Sequence, residues 1–225
     1  MRRFFEYDFF IFDCDGVILD SNNIKIQTME KTLFSFKEIK NGIPQCVEYF
    51  KSNFGKSRFH HVEVFFNQFL TVNSGANIEE LKSGILDKYN KELDICYPYS
   101  PETPGIRGVL SCVSGRAIVA SGSEQSQLKR VLRDKDLDHY FIDIFGSPQS
   151  KTTAIQRFVK KTKTSRNFLM IGDSISDMEV ALESGVDFLG YTPFSNKPTE
   201  LEKLCRQKKF LVLNDWKELI NDSNR

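Results

Sequence analysis

The amino-acid sequence predicts an α/β protein: a doubly wound parallel sheet with an all-helical cap domain inserted after the first strand. Three observations carry the prediction. Phe9-Phe10-Ile11-Phe12 is an apolar run without polar interruption, the pattern of a parallel strand buried on both faces, and it ends on Asp13. After Ser21, about seventy-five residues show helical spacing and no strand-like stretch. From Ile106 onward helix and strand alternate, as in a parallel sheet with helices on both faces.

Taken in order, the cap region holds three amphipathic patterns. Ile26, Met29, Leu33 and Phe34 make the first, Val62, Phe65, Phe66, Phe69 and Leu70 the second, and Leu81, Ile85, Leu86, Tyr89 and Leu93 the third. Such stripes are the ordinary core of a small helical bundle. Cys96 to Gly105 contains three prolines and a glycine, which end any helix and read as the return linker. With the outgoing linker near Asp20 to Asn22, the domains become 1–20 and 98–225 for the core and 21–97 for the cap.

In the core, Ile106, Val109, Leu110 and Val113 predict a helix, and Ala117 to Ala120 a strand ending at Ser121-Gly122-Ser123. Leu128, Val131 and Leu132 mark a helix, Phe141 to Phe145 a strand, and Ile155, Phe158 and Val159 another helix. Phe168 to Ile171 give a strand ending at Gly172-Asp173, and a helix from Met178 to Ser184 stops at Gly185, a favourable C-terminal cap. Val186 to Gly190 and Phe210 to Leu213 are late strands, and Asn221 to Arg225 is expected to fray.

Composition excludes several classes. Lys and Arg number 31 against 30 Asp and Glu, a net charge of +1 without a dense basic stripe, which argues against a nucleic-acid surface. Lys160-Lys161 and Arg206 to Lys209 read as solvated helix ends. Five cysteines, odd in number and without a C-x-x-C pair, offer neither a disulfide framework nor a zinc site. Arg2-Arg3-Phe4-Phe5 does not develop into a signal peptide, because Glu6 and Asp8 break the run, and no segment reaches the length of a membrane span. The expectation is a cytoplasmic protein with no nucleic-acid, membrane or obligate protein partner evident.

Three strand ends carry the polar residues that phosphoryl transfer needs: Asp13 with Asp15, Ser121, and Asp173 with Asp177. A fourth, Lys151, opens the helix after Ser147-Pro148-Gln149-Ser150. Taken alone, Asp13 and Asp15 are also ordinary turn-capping residues. Phosphate monoesters hydrolyse so slowly that catalysts reach roughly 10²¹-fold acceleration, most of it from positioning and charge stabilisation. Asp13 can act as a nucleophile, splitting one hard step into two through an aspartyl-phosphate. Asp15 can protonate the leaving oxygen and later take the proton from water. Carboxylates this close repel unless a cation sits among them, and magnesium favours such oxygens. Ser121 and the amides of Gly122 and Ser123, expected at a helix N-terminus, and the charge of Lys151 would hold the phosphoryl oxygens.

With these residues in hand, the chain resembles the haloacid dehalogenase superfamily, in the branch with a helical cap after the first motif. Asp13-Cys14-Asp15-Gly16-Val17 with Asp20-Ser21 matches the first motif, Ser121 the second, Lys151 the third, and Gly172 to Asp177 the fourth, in the family's order. The resemblance implies a sheet ordered 5-4-1-2-3 around the Asp13 strand. It also implies magnesium bound by Asp13, the Asp15 main-chain carbonyl and Asp173, with Asp177 as a water-mediated partner of the metal and of Lys151.

Asp15 separates subclasses: family members that cleave halides or phosphonates lack an acid there, so its presence implies phosphate ester chemistry. Gly55-Lys56-Ser57-Arg58 resembles the cap loop with which β-phosphoglucomutase-like enzymes hold substrate, and Arg58 and Lys25 are the cap residues expected to contact it. Two departures favour a phosphatase over such a mutase. Phe59-His60-His61 follow Arg58, and Lys25 stands where the mutases place a histidine. Adjacent on a helix, His60 and His61 point about 100° apart, so neither is expected as a ligand. A non-enzymatic binding module would have lost one of Asp13, Asp15, Lys151 or Asp173, and all are present.

Overall fold

The computed structural model describes residues 3–162 and 167–222. Phe9–Phe12 form β1, and the chain then enters α1 (Asn22–Phe34), whose buried stripe includes Met29 and Leu33 while Phe34 lies off it, 63 % exposed. A short strand, β2 (Ile39–Asn41), precedes α2 (Ile43–Ser52), a helix the sequence reading missed, with Ile43, Cys46 and Phe50 buried. Ser57 caps α3 (Arg58–Val64), its hydroxyl accepting from the His60 amide at 3.2 Å, and a π-helical turn follows over Phe65–Phe69. β3 (Thr71–Val72) leads to α4 (Ile78–Cys96), where Asn77 accepts from the amides of Glu79 and Glu80 at the N-cap.

The core follows as α5 (Ile106–Val113), β4 (Ala117–Glu124), α6 (Gln125–Asp134), β5 (Phe141–Ser147), α7 (Lys151–Lys161) and β6 (Phe168–Gly172). It closes with α8 (Ile175–Ser184), β7 (Asp187–Tyr191), α9 (Pro198–Lys208), β8 (Leu211–Leu213) and α10 (Lys217–Asp222). Lys160, Lys161 and Arg206 to Lys209 are solvated helix ends as expected. Of the tail expected to fray, Asn221 and Asp222 end α10, and 223–225 lie outside the described residues.

The sheet has six strands in the order β5-β4-β1-β6-β7-β8, every pair parallel. Its first five core strands reproduce the expected order, and β8 extends one edge. Alternate residues of β1 feed opposite cores. Phe10 and Phe12 pack with α5, α6 and Trp216, and Ile11 packs with apolar residues of α7, α8 and α9. Both faces being covered explains why β1 is apolar throughout.

One expectation fails: the cap is not purely helical. β2 and β3 pair antiparallel, Ile39 with Val72 and Asn41 with Thr71. Strands of three and two residues are too short to show a period of two, so the sequence carried no signal of them.

The two linkers to the cap lie side by side. The Asp20 amide donates to the Pro101 carbonyl at 2.8 Å and the Thr103 amide to the Ile18 carbonyl at 2.9 Å. The Thr103 hydroxyl donates to the Val17 carbonyl at 2.6 Å and accepts from the Trp216 indole N–H at 3.0 Å. Thr103→Val would strand two buried polar groups at about 1–3 kcal/mol each. We expect a loss of roughly 2–4 kcal/mol in denaturant unfolding followed by the fluorescence of the single tryptophan; an unchanged midpoint would show that this junction does not stabilise the fold.

Candidate active site

The strand ends meet in one buried site. Asp13 follows β1, Ser121 to Ser123 lie near the end of β4, Lys151 opens α7, and Asp173 follows β6. Asp13, Asp15, Ser121, Lys151, Asp173 and Asp177 are all buried. Such a convergence at the carboxyl ends of parallel strands is where open α/β sheets bind ligands.

Asp13 Oδ1 accepts from the Cys14 amide at 2.7 Å and lies 2.9 Å from Lys151 Nζ. No protein donor among the described residues reaches Oδ2, the oxygen left for chemistry. Lys151 Nζ also donates to Asp177 Oδ1 at 2.6 Å, and Asp177 Oδ2 accepts from the Ser174 hydroxyl at 2.6 Å. Burial and the charge of Asp177 push the Asp13 carboxyl up to about 8 against the pull of Lys151. Burial, Asp177 and Asp13 likewise raise Asp173 well above the ordinary range. Burial alone would lower Lys151, but Asp13 and Asp177 outweigh it and hold the ammonium charged.

Asp15 is held differently. Its Oδ2 lies 2.6 Å from Lys25 Nζ and accepts from the Ser123 hydroxyl at 2.7 Å and the Ser121 hydroxyl at 3.5 Å, while Oδ1 accepts from the Ser21 hydroxyl at 2.6 Å. Burial pushes this carboxyl up, but Lys25, Ser21 and Ser123 win and hold it at about 2. The Lys25 ammonium, lowered by burial despite Asp15, also donates to Ser123 Oγ at 2.5 Å. Lys25, expected at the phosphate, is therefore engaged with Asp15. Ser121 to Ser123 are also not at a helix N-terminus. β4 runs on to Glu124, whose carboxylate caps α6 by accepting from the Ser126 and Gln127 amides, and the Ser123 amide is taken by Ser121 Oγ at 3.1 Å.

The acidic residues fit a divalent cation. Oxygens of Asp13, Asp173 and Asp177 lie within 4.8 Å of one another, and Asp173 Oδ1 is buried without a donor among the described residues. Four buried carboxyls here share two buried ammoniums, Lys25 and Lys151, and the shortage of positive charge shows in the raised Asp13 and Asp173 carboxyls, which a divalent cation would favour in their ionised form. The Asp15 carboxylate stands outside this cluster, and Asp177 spends both oxygens on Lys151 and Ser174.

The cap loop covers the site. A Cβ on Gly122 would lie 2.5 Å from the Gly55 carbonyl oxygen and 2.8 Å from that of Lys56, so the loop's approach requires glycine there. A cavity of about 30 Å³ is lined by Asp13, Asp15, Ser121 and Gly122 from the core and by Phe50, Phe54, Lys56, Arg58, His61 and Tyr89 from the cap. The buried Arg58 guanidinium donates to the amide oxygens of Asn90 and Gln127, and stands 5.3 Å from the Tyr89 ring centroid. Both acceptors are neutral, and no carboxylate pairs with Arg58 among the described residues. His61 is buried, and burial, His60 and Lys56 lower it to about 3, so it is neutral; His60 Nε2 lies 3.0 Å from the Tyr49 hydroxyl. A second cavity of about 360 Å³ reaches Ser121, Gly122 and Lys151 past Ser147 to Ser150, Glu179 and Glu183.

Fold and site together define a hydrolase with a lidded, acidic reaction centre. The haloacid dehalogenase-like hydrolase family matches residues 7–185, and the chain belongs to that family. Among solved structures it is similar to a predicted phosphatase from Clostridium acetobutylicum, at 17 % identity over 96 % of this chain and 97 % of that one, with a TM-score of 0.71. A haloacid dehalogenase-like hydrolase from Streptococcus pneumoniae is 19 % identical over 96 % and 98 %, with a TM-score of 0.72. A predicted phosphoglycolate phosphatase from Haemophilus somnus is 15 % identical over 97 % and 98 %, also with a TM-score of 0.72. At these identities the likeness is one of fold. A comparison with curated proteins found no match.

The sequence gives no site role to Gln127, Asn90 or Tyr89, places Ser21 in the first motif without a partner, and marks Asn22 only as linker. Ser21 and Asn22 sit within the first motif's reach and were open to notice; the other three depend on how the cap docks. Lys25→Met leaves Asp15 buried without its cation, which costs about 3–5 kcal/mol when a buried pair is broken from one side. Because the Asp15 carboxyl is held below its ordinary value, the pair's stabilisation is complete above about pH 4 and is lost as pH falls toward 2. The expected result is a urea midpoint lowered at pH 7, with Asp15→Asn/Lys25→Met more stable than Lys25→Met alone; equal stability of the two would refute the pairing.

Proposed function

We propose that the chain is a magnesium-dependent phosphatase that hydrolyses a small soluble phosphate monoester, a sugar phosphate or similar compound, through an aspartyl-phosphate. The observation that carries this is the meeting of Asp13, Asp15, Ser121, Lys151 and the Asp173/Asp177 pair at one cap-covered cavity. Asp13 Oδ2 attacks phosphorus, and Lys151 and Ser121, with the Gly122 amide, hold the phosphoryl oxygens. Asp15, ionised while Lys25 and the serines hold it, takes up a proton with the substrate as the incoming phosphate's negative charge raises its pKa, hands that proton to the leaving oxygen and later takes one from the attacking water. Magnesium, held by Asp13, Asp173 and the Asp15 carbonyl with Asp177 behind, would neutralise charge between nucleophile and phosphate. Segment 21–97 acts as the cap, residues 1–20 and 98–225 as the catalytic core.

Two features bear on the substrate. The cavity beside Asp13 and Asp15 is narrow, about 30 Å³ under the closed cap, which favours a small ester over a phosphoprotein. Arg58, charged and bonded only to neutral oxygens, is suited to grip an anionic or hydroxyl-rich leaving group. The wider cavity at Ser121 and Lys151 offers water a route to the phosphoryl site, which supports hydrolysis over transfer to a sugar. Five free cysteines suit the reducing cytoplasm.

The test is a screen of phosphorylated sugars, sugar acids and phosphoglycolate with magnesium, with Asp13→Asn as the blank. Wild type should release phosphate at least about 10³-fold faster than the blank, as loss of a nucleophile requires, and a chelator should abolish the release. Equal release by the two would end the assignment of Asp13. Isomerisation of hexose phosphates with a bisphosphate primer, without release of phosphate, would replace the phosphatase by a β-phosphoglucomutase-like mutase.

A further inference from the structure

Asn22 is buried at the root of the cap, where α1 begins. Its Nδ2 donates to Asp173 Oδ2 at 2.8 Å and to the Phe194 carbonyl at 2.9 Å. Both partners are acceptors only at the contact, which fixes the amide with its nitrogen toward them. Gly16 closes the same corner: a Cβ there would lie 2.2 Å from Asp173 Oδ2 and 2.7 Å from Asn22 Nδ2. One oxygen of Asp173 is thus engaged and walled in, while Oδ1 is buried and meets no donor among the described residues.

We propose that Asn22 is a positioning residue for the divalent cation: its amide fixes the plane of the Asp173 carboxylate so that Oδ1 is presented to the ion. This rests on the cation reading above and adds to it a residue outside the four motifs. A carboxylate with two free oxygens can swing away from an ion, and one with an oxygen tied to a neutral donor cannot. The donor also withdraws part of the negative charge on Oδ2 and lessens the repulsion among Asp13, Asp173 and Asp177 before an ion arrives. Because Asn22 also bonds the Phe194 carbonyl, the Asp173 carboxylate is braced against two separate parts of the chain, the first cap helix and the loop after β7. Partners that orient metal ligands typically contribute 10–100-fold to affinity.

The experiment is a manganese titration of the full chain, read as the loss of the free-ion electron paramagnetic resonance signal, with magnesium as competitor. Wild type is compared with Asn22→Leu and with Asn22→Ala, the second because it only removes atoms and keeps the test alive if leucine does not fit. Thermal unfolding of the metal-free chains is recorded in parallel. The expected result is a manganese Kd raised about 10-fold or more in both variants, with cooperative metal-free unfolding retained. A residue that only braces the hinge would lower the metal-free midpoint and leave Kd within twofold of wild type, and that outcome overturns the proposal. A wild type that binds no manganese would overturn both this proposal and the cation reading, whereas equal binding by wild type and variants overturns the proposal alone.

Discussion

The crowding of like charge at the end of β1 is the constraint on which the rest of the structure turns. Asp13, Asp173 and Asp177 are buried within 4.8 Å of one another, with Asp15 buried beside them, and burial raises the cost of each negative charge. The fold meets this cost with three polar groups drawn from two helices, α1 and α7. Lys151 from α7 serves Asp13 and Asp177, Lys25 from α1 serves Asp15, and Asn22 serves Asp173. The result is asymmetric. Asp15 is held firmly ionised, while Asp13 and Asp173 are left short of positive charge on the side that faces the cavity.

That asymmetry explains which parts of the site were legible in the sequence. Asp13, Ser121 and Asp173 each stand at or near the end of an apolar strand, and Lys151 opens a helix just beyond one. A parallel sheet brings its strand ends together whatever the loops do. The carboxylates and Lys151 could therefore be gathered from linear pattern alone. Lys25 could be placed near the site but not assigned its partner, because contact with Asp15 in place of phosphate depends on the turn of α1 relative to β4. The Ser121 to Ser123 segment was misplaced for a similar reason. Whether a strand ends at Ala120 or runs on to Glu124 depends on the cap that Glu124 gives α6, and one acidic residue does not announce that.

The cap was legible in outline only. Its long stripes gave α1, α3 and α4, because helices bury faces whose period survives in sequence. α2 was missed although Ile43, Cys46 and Phe50 recur at helical spacing, since a cysteine and a leading Pro44 blur a ten-residue pattern. The β2/β3 pair lies below the length at which alternation is visible. The docking of the cap on the core depends on backbone approach, in particular of Gly55 and Lys56 onto Gly122, and backbone contacts leave no side-chain signature beyond the glycine itself.

Closure of the cap also has a consequence for selectivity that follows from charge. The closed cap buries the Arg58 guanidinium against Asn90, Gln127 and the face of Tyr89, none of which carries a negative charge. Buried cations are costly unless paired, and neutral hydrogen bonds return only part of the lost hydration. A carboxylate at the position of Gln127 would have paired Arg58 permanently and favoured a closed, empty site. With neutral oxygens there, and Glu124 acting on the guanidinium only through space, a direct ion pair is left to what the cavity holds. An anion bound beside Arg58 then stabilises the closed state by the pairing that the protein itself withholds, so the same contact that would recognise a ligand also favours the lid closing over it.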